Sequence, residues 1–241
     1  IARILEAAAM PCGLIGTLYA TGGQKPHATV NTTPDSFTNQ AYLHEMVKAK
    51  KAACAMEVSS IGLVQGRVRG VDFDTAVFTN LTEDHLDYHK TFAAYFEAKA
   101  LLFEQLGNAY HHGPKTKTAV INIDDPYGRR LVARTAANVL TYGTKGRGML
   151  QARDIRVTPH GTRFTLRIAG RHYPVHLQLM GAFNVYNALA AFGATYVHGI
   201  EPSVIIAALE SVRGVRGRFQ QVPTPKDATV IVDYAHTPDG L

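Results

Sequence analysis

Apolar and polar positions repeat along this chain with two periods, and the places where the period changes divide it. Between Thr91 and Gly107, Phe92, Tyr95, Phe96, Lys99, Leu102, Phe103 and Leu106 fall at i, i+3, i+4, i+7 spacing. That pattern predicts a helix with one buried face, with Thr91 as N-cap and Gly107 as its stop. Residues 38–51, 127–137, 182–198 and 203–211 carry helical patterning too, and 1–10 reads as the end of a helix stopped by Pro11. Short apolar runs at 52–58, 75–78, 119–123 and 230–233 predict buried strands. Strand and helix in turn imply a parallel sheet with crossover helices. From 150 to 179 the period drops to two: 153–157, 162–168 and 172–179 alternate, separated by turn signals at Pro159-His160-Gly161 and Gly170-Arg171. These read as antiparallel scaffold strands. Pro223 and Pro225 mark a linker, which divides the chain into a main domain, 1–222, and the first strand of another, 223–241.

The helical stripe contains a residue that does not belong on an apolar face. Lys99 points where water is scarce, and burial of an ammonium lowers its pKa and favours a neutral, reactive amine. A snorkelling lysine is the bland alternative. The strand just upstream, 75–78, empties into a turn carrying Asn80, Thr82, Glu83, Asp84, His85, Asp87 and His89. Polar groups crowded at the C-terminal end of a buried strand are how an open α/β sheet builds a site. The strand at 52–58 ends likewise, in Glu57, Ser59 and Ser60, followed by Gln65, Gly66 and Arg67. A strand-end carboxylate beside hydroxyls suits a hard divalent cation, and an arginine fork suits an anionic substrate.

Composition narrows the partners. A length of 241 residues with 46% hydrophobic content supports a sizeable core. The net charge of +6 comes from dispersed basic residues, without an aromatic-interleaved basic run, so no nucleic-acid partner is expected. No apolar run approaches a membrane span of about 20 residues, so no membrane insertion is expected. Cys12 and Cys54 lack CxxC partners and read as reduced core thiols, which points to the cytoplasm. His111-His112 and Asp124-Asp125 look like metal pairs, but a solvated loop suits the first. Helix capping before Pro126 suits the second at least as well as nucleotide or magnesium binding.

The segments NTTPDSF (31–37), MEVSSIGLVQGRV (56–68), FTNLTEDHLDYHK (78–90), EAKALLF (97–103), NIDDP (122–126), GAFNVYNALAA (181–191), GVRGRF (214–219) and VDYAHTPDGL (232–241) stand in one order and spacing. In these the chain resembles the Mur ligases of peptidoglycan synthesis, most closely the MurE branch. The resemblance implies a mostly parallel, Rossmann-like α/β sheet with flanking helices and a small antiparallel β subsheet. It implies an ATP-dependent amide ligase that adds a diamino acid, meso-diaminopimelate or L-lysine, to UDP-MurNAc-L-Ala-D-Glu through an acyl-phosphate. The alternatives are another ligase of this type (MurF, folylpolyglutamate or cyanophycin synthetase) or an inactive nucleotide-binding module. The family's P-loop signature does not occur in these residues. The resemblance therefore implies a chain that starts just after that loop, stops inside the C-terminal domain and by itself lacks ATPase activity.

Carried over by position, Asn31, Thr32, Thr33, Ser59, Gln65 and Arg67 match residues that hold the UDP-MurNAc-dipeptide. Glu57 and His85 match Mg2+ ligands, and Lys99 matches a lysine that CO2 converts to a carbamate, itself a metal ligand. Asn184, Asn187, Arg218 and Asp233 match positions that contact ATP. One departure is visible: MurE sequences commonly have His after the paired serines, where this chain has Ile61.

Overall fold

Strand and helix largely alternate over the first 143 residues. The computed structural model describes residues 1–23, 25–107, 116–215, 217–222, 230–233 and 235; the His111-His112 pair and the Pro223/Pro225 linker lie outside them. In chain order the elements are α1 (Ala2–Ala7), β1 (Cys12–Ile15), β2 (Ala20–Thr21), α2 (Ser36–Lys48), β3 (Ala53–Met56), α3 (Ser60–Val64) and β4 (Thr75–Phe78). There follow α4 (Leu86–His89), α5 (Phe92–Gln105), β5 (Thr118–Asn122), α6 (Pro126–Leu131), β6 (Asn138–Gly143), β7 (Leu150–Thr158), β8 (Gly161–Ile168) and β9 (Arg171–Leu177). The chain closes with α7 (Ala182–Tyr196), α8 (Pro202–Glu210), β10 (Gln220–Val222) and β11 (Val230–Val232).

One six-stranded sheet runs β4-β5-β6-β7-β8-β9. β4 to β7 are parallel, and β7, β8 and β9 form an antiparallel meander. The alternating strands expected at 150–179 thus extend the parallel sheet itself, because β7 pairs with β6 through Tyr142↔Leu150. A second sheet has the order β2-β1-β3, with β1 and β3 parallel, and a third pairs β10 with β11. Among the described residues β3 and β4 each have one sheet neighbour, and both line a cleft of about 510 Å³ with Leu5, Met10 and Phe73. This is why β3, read as a buried strand, is half-buried along its length.

Alternation along β5 sends neighbouring side chains to opposite faces, and each face has its own core. Val120 joins Leu140, Leu150 and Leu166 beneath α1, α7 and α8, with Leu189, Phe192 and Ile205 packed on them. Ala119 and Ile121 join Phe78 beneath α5 and α6, with Phe96, Phe103 and Leu131. The Thr91 hydroxyl accepts from the Ala94 amide at 3.1 Å and caps α5 as its sequence predicts. Asp125 accepts from the amides of Tyr127 and Gly128, so it caps α6. Helix α6 ends at Leu131 rather than 137, because the chain must turn back to enter β6, where Asn138 donates to Lys117 O at 3.0 Å. Gly128 sits in α6 where a Cβ would lie 1.9 Å from Asn122 O, so only glycine lets this helix close on β5.

Candidate functional site

The titratable residues gather where the strands end. β4 runs into the turn that carries Asp84 and His85, and His85 takes a left-handed conformation (φ 55°) to start α4. Its amide donates to Asp84 Oδ1 at 2.8 Å, and its Nδ1 lies 3.5 Å from the same oxygen. The next helix, α5, presents Tyr95 and Lys99 one turn apart. Lys99 Nζ sits 4.9 Å from the centre of the Tyr95 ring, and the His85 ring meets that ring edge-on at 6.0 Å. The apolar stripe therefore holds the lysine half-buried against an aromatic face. Burial pushes its pKa below the ordinary 10.5, and the charge of nearby Asp84 opposes the shift. Burial, then the Asp84 charge, drives the Tyr95 phenol up to about 12, so the ring stays neutral.

His89, at the end of α4, is 8% exposed. It stacks on Tyr95 at 5.1 Å with an 18° interplanar angle, and its Nε2 lies 2.8 Å from Ser60 Oγ. Burial, then the neighbouring His85 and Lys99, lowers its pKa and keeps the imidazole neutral.

Ser60 belongs to the other strand mouth. Ser59 caps α3 through Gly62 N, and its own amide donates to Thr33 Oγ1 at 2.9 Å. Thr33 is fully buried and donates through Oγ1 to Glu57 O at 3.0 Å. Arg67 Nη1 donates to Thr33 O at 2.9 Å, and its Nε donates to Gln65 Oε1 at 2.9 Å. The Glu57 carboxylate is fixed from outside this loop: Thr17 donates to Oε2 from its hydroxyl at 2.5 Å and from its amide at 3.1 Å. Thr17 Oγ1 also lies 3.2 Å from Thr32 Oγ1. Thr32, Thr33, Glu57, Ser59, Gln65 and Arg67 thus form one hydrogen-bonded group, with Asn31 exposed at its margin.

The third set stands apart, at the start of α7. Asn184 donates to Met180 O at 2.7 Å and accepts from Asn187 at 3.2 Å. Phe183 meets Phe219 edge-on at 5.5 Å, and the Phe219 amide donates to Asp233. Asn184 and Asn187 thus share the start of α7 with Phe183, while Asp233 is bonded to Phe219, with exposed Arg218 next to it in sequence. Asp124 serves the loop after β6. Its burial is outweighed by donors from Thr144, Tyr186 and Lys145, which hold its carboxyl below the usual range.

Thr17 and Tyr95 have no role legible in the sequence, and Ser60 and His89 stand there among the strand-end polar groups without a sign that they pair. Tyr95 had a signal, since it precedes Lys99 by four residues on one helical face. Thr17 had none, because a turn threonine 40 residues from its carboxylate partner carries no periodicity. Among the described residues no three His, Cys, Asp or Glu side chains converge as a metal cage. An ammonium at Lys99 would also repel a cation. Magnesium therefore suits this donor set only where Lys99 carries an anionic oxygen and substrate supplies others.

A mostly parallel α/β sheet with polar residues massed at its strand mouths is the architecture in which open α/β folds place their ligand sites. The chain belongs to the Mur ligase family, matching the Mur ligase middle domain over residues 1–195. It is 55% identical over 229 residues to the UDP-N-acetylmuramoyl-L-alanyl-D-glutamate--2,6-diaminopimelate ligase of Lactiplantibacillus plantarum, covering 95% of this chain and 46% of that protein. The ligase of the same name from Halalkalibacterium halodurans is 46% identical over 241 residues, covering all of this chain and 49% of the relative. The chain thus spans about half the length of the curated relatives it matches. Among solved structures, a ligase with that same name superposes with a TM-score of 0.83 at 33% identity, over 99% of this chain and 48% of the other. MurF from Acinetobacter baumannii shares the fold at a TM-score of 0.77 and 18% identity, over 99% of this chain and 48% of that one. Among the described residues no helix is long and apolar enough to cross a membrane.

Proposed function

We propose that this chain is the central part of a cytoplasmic, ATP-dependent ligase that joins 2,6-diaminopimelate to the D-glutamate of UDP-MurNAc-L-Ala-D-Glu. The observation that carries the reading is Lys99, half-buried over Tyr95 beside His85 at the mouth of β4. A lysine with a lowered pKa exposes a neutral Nζ that can add CO2, forming an N–C bond and releasing one proton. The resulting carbamate anion removes the penalty of a buried, unpaired ammonium. Glu57 would hold one Mg2+, and His85 with this carbamate a second, each beside the phosphates of ATP. When bound, magnesium neutralises charge on the transferring phosphoryl group.

The rest falls to the chain's own residues. Thr32, Thr33, Ser59, Gln65 and Arg67, with Asn31 at the margin, would grip the UDP-MurNAc-dipeptide and aim its γ-carboxylate. Asn184, Asn187, Arg218 and Asp233 would hold the nucleotide at the Phe183–Phe219 pair. The carboxylate displaces ADP from the γ-phosphoryl group, and the incoming amine then displaces phosphate to form the amide. Positioning dominates, because a carboxylate needs little activation. The name shared by the relatives favours diaminopimelate over lysine as the third residue.

The test uses protein expressed from the whole reading frame. ADP release should require UDP-MurNAc-L-Ala-D-Glu together with meso-diaminopimelate, with L-lysine a poor substitute. Turnover on a folate, or ADP release indifferent to the UDP-dipeptide, would refute the assignment.

A further inference from the structure

The two strand mouths belong to different sheets, yet one side-chain hydrogen bond ties them. Ser60 is 1% exposed at the start of α3, and His89 meets it at 2.8 Å from the end of α4. His89 then stacks on Tyr95, whose ring also carries the Lys99 amine and meets the edge of His85. Ser60 directly follows Ser59, which is bonded to Thr33, and Glu57 stands two residues further back. We propose that Ser60, His89 and Tyr95 form a positioning chain that sets Lys99 and His85 in register with the Glu57–Ser59 loop. None of the three needs to touch substrate. Each acts through the next, by a hydrogen bond, a stacked face and a ring platform.

The inference rests on the roles given above to Lys99 and His85, and the experiment separates the two. In the whole-frame enzyme, His89→Leu and Tyr95→Leu should lower kcat about 10- to 100-fold, the usual cost of losing an outer partner. KM for the UDP-dipeptide should hold, because the Thr33–Arg67 group is untouched. The 13C signal of a Lys99 carbamate, formed in labelled bicarbonate, should weaken in both variants. His89→Gln can still offer a side-chain nitrogen to Ser60 and should recover much of kcat, as Tyr95→Phe should relative to Tyr95→Leu. The double variant Ser60→Ala/His89→Leu should be little worse than His89→Leu alone, the mark of residues acting as one unit. Should the leucine variants prove unstable, Ser60→Ala, which removes the bond, set against His89→Gln, which keeps it, gives the same comparison. Leucine or Ser60→Ala variants that fold and keep wild-type kcat and carbamate signal overturn the positioning chain, as does a kcat that falls only in step with Tm. If Lys99→Ala still ligates, it is the functional reading that fails.

Discussion

A single amine over a phenol ring sets the chemistry available here. If Lys99 carries the carbamate, Lys99→Ala in the whole-frame enzyme should cut kcat by about 10²-fold or more, the scale of losing one preorganised electrostatic group. Short carboxylic acids added to the assay should restore part of the rate, and an unimpaired variant would contradict the assignment. The same residue should leave a mark on stability. Its pKa is lowered in the folded chain, so between that value and 10.5 the folded form binds fewer protons than the unfolded form. Stability then rises with pH across that window. Lys99→Met lacks the group, so its stability advantage over wild type should shrink as pH climbs toward 10.5, as followed by urea midpoints. A pH-independent difference would mean the ammonium is fully hydrated. At this scale the sequence was legible where period exposed an anomaly, as at Lys99, and where strand ends collected polar residues. The Ser60–His89 bond was not, because its partners lie 29 residues apart and neither breaks a local pattern.

Elements were readable in proportion to their length and caps. Helix α5 runs four turns from a threonine cap and was read to within one residue, since its stripe and both boundaries agree. Thr91→Ala should cost about 1 kcal/mol in urea denaturation, the usual value of an N-cap. β1 and β2 went unread because β2 has two residues and Gly13 interrupts the apolar run of β1. β6 was missed for another reason: the helical pattern of α6 runs on to 137, directly before Asn138, and only β5 decides where the helix yields. The entry to β5 depends on Lys117, which is 5% exposed and donates to Asp72 at 2.9 Å and Asp74 at 3.0 Å. Burial disfavours its charge, but the two carboxylates outweigh this and raise its pKa. Lys117→Met should destabilise the fold by about 2 kcal/mol, as expected for losing charge-assisted bonds to partly hydrated carboxylates. Stability equal to wild type would show that the two aspartates find other partners.

At the scale of the molecule, the pattern of alternation told the layers correctly, with helices on both faces of a mostly parallel sheet. What it could not tell was that β1 and β3 would pair apart from β4 to β9. Strand order depends on contacts distant in sequence, and apolar runs of similar length can pair in several ways. The consequence lies in the rims of β3 and β4 that, among the described residues, no strand covers. Each offers a row of backbone donors and acceptors, set in an apolar trough and unguarded by proline along either strand. Such rims recruit one another. The 241-residue chain, purified by itself, should therefore become oligomeric as its concentration rises, and sedimentation velocity should reveal it. Ala55→Lys, which plants a charge on that rim, should keep it monomeric; if the unaltered chain stays monomeric at high concentration, the trough is already sealed against strands.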